Sequence, residues 1–203
     1  MKRNEFIERY WLYYLALEND FIKTIRFVSI DSENYNAFSN EYVRQLLSIG
    51  SEIDVVLKGY CSIIDSLQEP DNIRKYAAVL LNNNNSKNII NKTPKIKRMA
   101  NMIYQPWKDW YITACEYVSP NWWTCYNNVK HNRITSFKEG NLENVINALS
   151  GLYLLEMFYC KEICDNSNEE LTVPLPKSEL FEMENWEEQN IIVGEGMIFK
   201  IID

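Results

Sequence analysis

The sequence predicts a mainly α fold, a helical bundle finished by a small C-terminal β-hairpin. Three observations carry that expectation. Apolar residues recur at spacings of three and four through most of the chain up to about residue 165, the period of a helix face. Ser, Asn and Pro stand where several of those stripes begin, as residues that cap or open helices do. Near the end, two short β-branched runs flank Gly194-Glu195-Gly196, the mark of a hairpin. The chain therefore divides into a helical bundle domain over 1–165 and an acidic C-terminal extension over 166–203.

Taken in order, Phe6, Ile7, Tyr10, Trp11, Tyr14, Leu17, Phe21 and Ile25 form the stripe of a first long helix over 4–28, with a break expected near Asn19. Ser39 caps a second long helix carrying Tyr42, Leu46, Ile49, Ile53, Val56, Leu57, Tyr60 and Ile64. A shorter helix follows from about Asn72 to Leu81, and then an asparagine-rich surface loop to Asn91. Residues 92–104 read equally as strand or loop. Pro106 sits in the first turn of a helical stretch over Gln105 to Tyr111. Ser119-Pro120 opens another helix, with Trp122, Trp123, Tyr126 and Val129 on its apolar side, running at least to His131. Asn141 caps the last helix, which ends near Cys164 and is apolar on more than one face, so it belongs at the centre of the bundle. Thr172 to Pro176 is extended by its prolines, and the hairpin closes the chain.

With 203 residues, 46% of them hydrophobic and 24% charged, the chain has the composition of an ordinary globular protein. A chain of this size buries roughly 70% of its extended surface, enough for a core without disulfide or metal staples. No apolar run reaches the roughly 18 to 20 residues of a membrane span, and charges interrupt the start MKRNEFIERYW, so no membrane association and a cytoplasmic location are expected. Five cysteines without CxxC spacing fit reduced thiols.

Charge is polarised. Eight Lys or Arg and no acid lie between Asn72 and Lys108, whereas ten acids against Lys177 and Lys200 lie from Asp165 onward. Lys92, Lys95, Lys97 and Arg98 are the candidate nucleic-acid-binding residues, since clustered cations release counterions on meeting a phosphate backbone. Alternatively, the acidic extension folds back over the basic segment and cancels its field.

Catalytic chemistry is restricted by the single histidine, His131. No ligand spacing surrounds it, so no metal and no cofactor are expected. Cys125 lies six positions before it, on another side of a helix, and no phosphate-cradling glycine motif occurs. What remains is polar residues on two helices. Lys130, His131 and Arg133 form a cationic patch suited to a phosphodiester, with His131 as general acid or base. On the second helix Glu52, Asp54 and Lys58 interrupt a hydrophobic run, and with Asn127 and the cationic face they could instead make an ion-pair cluster that joins two core helices.

The run WWTCYNNVKHNR, followed by NLENVINALSGLYLLE, together with SNEYVRQLLSIGSEIDVVLKGYC, resembles bacterial helical proteins related to the HEPN superfamily, many encoded near phage-defence or toxin-antitoxin genes. The resemblance spans about Ser39 to Cys61 and Pro106 to Glu156. It implies a bundle that commonly dimerises and, in active members, a metal-independent endoribonuclease with an Arg, a polar residue and a His after four to six intervening positions. Here those positions hold Tyr126, Cys125 and Thr124, so only His131 carries over. The resemblance then implies a non-catalytic component of a defence or toxin-antitoxin module, with RNA or a protein from the same operon as partner and a homodimer as a candidate assembly. The alternative is an endoribonuclease that uses His131 with Lys130 and Arg133. A protein-binding role through exposed Trp107 and Trp110 and the acidic extension is a third reading.

Overall fold

The computed structural model describes residues 1–99, 102–167, 173–183, 187–193 and 196–202. The protein is mainly helical, with small antiparallel two-stranded sheets. The first helix runs unbroken as α1 (Arg3–Phe6), a π-helical turn (Ile7–Trp11) and α2 (Leu12–Ile25), so the break expected near Asn19 is absent. The irregularity lies earlier, where the wider turn places Trp11 fully inside. Then come α3 (Asn40–Ile64) and α4 (Ile73–Leu80). Ser39 accepts the Tyr42 N–H at 3.0 Å and Asn72 the Lys75 N–H at 3.1 Å, as their places at the stripe starts predict.

The asparagine-rich loop contains a 3₁₀ turn (Lys87–Asn91) that drops Ile89 into the core. The ambiguous stretch after it forms β1 (Pro94–Ile96). Gln105 to Tyr111 is not helical. It is a turn leading into the two-residue strands β2 (Tyr111–Ile112) and β3 (Tyr117–Val118). Pro106 opens a turn as readily as a helix, because both need the same φ at that position. Trp107 and Trp110 are consequently not an exposed binding surface. Both are fully buried, and the Trp107 indole donates to the Gly151 carbonyl at 3.1 Å.

The last two helices are α5 (Asn121–Ser136) and α6 (Leu142–Ser167). Pro120 occupies the N-cap of α5 in place of Ser119, whose hydroxyl meets that of Thr124 at 3.1 Å. Asn141 caps α6 by accepting the Asn144 N–H at 2.9 Å. Helix α6 is the centre of the molecule, since from Leu142 to Cys164 almost every residue is buried, and α3 is its main neighbour. Close approach of α3 and α5 depends on Gly50, where a Cβ would overlap the Tyr126 ring.

Residues 173–183 form a strap that bends at 175–176 and 179–180, so the extended course expected through Pro176 is not kept, and it ends in β4 (Phe181–Met183), which pairs antiparallel with β1 so that Lys95 faces Glu182 and Ile96 faces Phe181. The expected hairpin forms from β5 (Glu187–Val193) and β6 (Gly196–Ile202) with Val193 opposite Gly196. Its Gly194-Glu195 turn lies outside the described residues, as does Thr172. Among the described residues no helix is long and apolar enough to cross a membrane.

Candidate functional site

Helix α5 is amphipathic for its first nine residues only. Trp122, Trp123, Tyr126 and Val129 are buried, with the Trp122 indole donating to the Pro106 carbonyl at 2.7 Å and its ring edge-on to Trp107 at 5.0 Å. Past Val129 the apolar spacing stops, and Lys130 through Thr135 are exposed. Asn132 leaves helical geometry (φ −135°, ψ 46°), a kink that falls where packing against the bundle ends.

Lys130, His131 and Arg133 therefore project from one kinked helix end. The Lys130 ammonium lies 5.4 Å from the centre of the Tyr126 ring, a cation–π contact that steadies its stem without neutralising its charge. Among the described residues no carboxylate pairs with any of the three. Lys138 adds a further cation just beyond the helix, over the half-exposed Phe38 ring at 5.9 Å, and Phe38 meets Phe137 edge-on. Ile134, 95% exposed, stands beside them. The patch combines exposed positive charge with accessible apolar surface, a combination suited to a phosphate backbone and its bases.

The ion-pair cluster joining α3 to α5 does not form. Asp54 turns toward α4, pairing with Lys58 at 2.7 Å and accepting the Tyr76 hydroxyl at 2.9 Å. Glu52 faces α6. Asn127 donates to the Trp123 carbonyl of its own helix at 3.1 Å, and His131 stands in solvent, away from Glu52 and Asp54. Spacing put the right residues on each helix, but which neighbour each face meets is decided by the bundle's assembly.

The four central candidates are partly occupied within the chain. Lys95 pairs with Glu182 at 3.4 Å, and the Lys97 ammonium donates to the Ser178 carbonyl. Lys92 is half-buried at the end of the 3₁₀ turn, and Arg98 is exposed. The fold-back of the acidic extension is thus realised at Lys95 and Lys97.

Glu18, Glu156 and Glu162 are buried glutamates that escaped the sequence reading, and the first two are the most deeply buried. Glu18 on α2 accepts the Tyr14 hydroxyl at 2.6 Å, the Ser178 hydroxyl, and the backbone N–H groups of Glu179 and Leu180 at 2.8 and 3.3 Å. Glu156 on α6 is fully buried, and among the described residues neither of its oxygens has a hydrogen-bond partner. Burial pushes its carboxyl far above the usual range, and the Glu52 carboxylate adds to the effect. Glu18 and Glu156 lie on the apolar stripes of their helices, which is the signal that marks them: Glu18 follows Tyr14 by four positions, and Glu156 interrupts the run from Leu152 to Tyr159.

An open, mostly apolar groove of about 530 Å³ lies between the end of α2 and the start of α3, walled by Thr24, Val28 and Tyr42 with the 81% exposed Phe27 at its lip. Its charged rim is internally neutral, because Arg44 binds Glu41 and Asp20, and Lys23 binds Asp20. Among the described residues no group of three or more His, Cys, Asp or Glu is placed to hold a metal ion. Compared with protein-family models, curated proteins and solved structures, the chain matches none of them.

Proposed function

We propose that the chain is a HEPN-like helical subunit of a bacterial defence or toxin-antitoxin module, contacting RNA without cleaving it through the kinked end of α5. One observation carries the reading. Lys130, His131 and Arg133 are exposed together at a helix end, and no carboxylate among the described residues neutralises them. The Lys130 and Arg133 charges are therefore available to a phosphate at the full counterion-release benefit. The same openness argues against catalysis. A general acid or base works best when a second group orients it and a placed cation meets the developing charge; among the described residues none orients His131 by a hydrogen bond, and no Arg stands at the family spacing.

Anisotropy of a labelled single-stranded RNA tests the proposal. Binding should weaken log-linearly with salt, and replacing both Lys130 and Arg133 by Ala should reduce the slope by about 1.4, from about 0.7 per phosphate contact on a single strand. His131→Ala should leave the melting temperature unchanged, because substitution of an exposed side chain changes stability by no more than about 0.5 kcal/mol. Absence of binding at low salt would sink the reading. Cleavage by the parent chain that His131→Ala abolishes would install the endoribonuclease in its place.

A further inference from the structure

The strand β1 has two sides, and the two are held differently. On one, Ile96 donates to the Met102 carbonyl at 2.9 Å and Tyr104 donates back to Pro94 at 2.8 Å, contacts between residues close in sequence. On the other lies the strap, which arrives from the far end of the chain. It offers β1 three oxygen acceptors: the Leu180 carbonyl takes the Lys97 N–H at 2.9 Å, the Ser178 carbonyl takes the Lys97 ammonium, and the Glu182 carboxylate meets the Lys95 ammonium at 3.4 Å. Two neutral carbonyls and one carboxylate thus occupy donors that could equally meet the closely spaced oxygens of a phosphodiester backbone.

Besides its β4 ladder on β1, the strap is anchored at a second place. Glu18 takes its serine hydroxyl and two of its amides, the Trp11 indole donates to the Pro176 carbonyl at 2.7 Å, and the Phe181 ring sits 5.7 Å from that of Tyr153. These anchors bind the strap without using either lysine.

We infer that Lys95 and Lys97, with the exposed Arg98 beside them, form a second RNA-contacting strand edge that the strap covers, so that the strap and an RNA backbone are mutually exclusive occupants of β1. The inference deepens the reading of the protein as an RNA-contacting subunit and rests on it. Coupling of this kind is reciprocal: whatever loosens the strap strengthens RNA binding at β1, and RNA bound there loosens the strap.

The test uses the full chain and the same labelled RNA, with Glu18→Gln and, separately, Phe181→Ala to lift the strap, and hydrogen exchange at the Glu179 and Leu180 amides to report that it has lifted. Circular dichroism confirms that each variant keeps its helices. Lifting the strap should raise RNA affinity at least about tenfold at low salt and steepen the salt slope by about 1.4, two further phosphates at about 0.7 each. Adding Lys95→Ala and Lys97→Ala should cancel that gain. In the unaltered chain the same two substitutions should change affinity less than about twofold, since those cations are engaged. The inference is overturned if the lifted variants gain nothing, if the gain survives loss of both lysines, if the lysines already matter with the strap in place, or if neither variant raises exchange at the strap amides. Substitutions at Lys130 and Arg133 read the α5 surface independently. Weak binding by the parent with strong binding by the lifted variants would reject the α5 reading and keep this one, and the converse pattern would do the opposite.

Discussion

Glu156 stands in an otherwise apolar run at the middle of the most buried helix, and its carboxyl is sealed between α6 and α3 with Glu52 as its charged neighbour. An ionised carboxylate there would be desolvated without a compensating bond, so the proton stays on, and the Glu52 carboxyl is itself pushed up by burial. The consequence for stability has a definite sign. The folded-state pKa is raised, so the unfolded chain ionises first, and stability falls as pH rises from the unfolded value near 4.3 toward the folded one, by no more than about 1.4 kcal/mol per pH unit. Glu156→Gln cannot ionise. Urea titrations between pH 5 and 8 should show the variant gaining on the parent as pH rises, and parallel pH profiles would show that Glu156 is not the group responsible.

At the scale of elements, helix positions were legible because burial imposes a 3.6-residue stripe and the caps are local chemistry: Ser39, Asn72 and Asn141 each accept the amide their position predicts. Trp107 and Trp110 were misread because a spacing of three suits a turn as well as a helix, and nothing local says that Gly151 lies across from the indole. Lys130, His131 and Arg133 of α5 were legible, being within four residues of one another on one helix. Their supposed partners on α3 were not, since Asp54 finds Tyr76 across 22 residues of chain and Glu52 finds α6, pairings made only by assembly. The packing of α6 against α3 also predicts a cost. Leu149 is fully buried on α6, so Leu149→Ala should destabilise by about 2 to 5 kcal/mol, the lost transfer energy plus the cavity left behind. A loss below about 0.5 kcal/mol in a denaturant titration would contradict its burial.

Across the whole molecule, the opposed charges of the central segment and the C-terminal extension invite the view that their attraction folds the strap onto the bundle. The geometry says otherwise. Lys95 and Glu182 meet at 3.4 Å with 33% and 46% of their side chains exposed, and an ion pair so placed contributes about 0 to 1 kcal/mol, less as salt is added. Glu18 is nearly fully buried and gathers four hydrogen bonds, two from backbone amides of the strap and one from its serine, and each such bond to a charged group contributes about 1.5 to 3 kcal/mol. Leu180 and Phe181 are buried beside it. Buried hydrogen bonding and apolar contact therefore outweigh surface Coulomb attraction, and the charge pattern selects what the strap covers more than whether it closes. Raising NaCl from about 0.05 to 0.5 M, which shortens the screening length roughly threefold, should lower the melting temperature by less than about 2 °C, because few exposed pairs are at stake. Lys95→Ala should cost under about 1 kcal/mol, whereas Glu18→Gln, which leaves amides facing a neutral acceptor, should cost about 2 to 4 kcal/mol in a urea titration. Equal costs for the two substitutions, or a melting temperature that falls steeply with salt, would return the strap to electrostatic control.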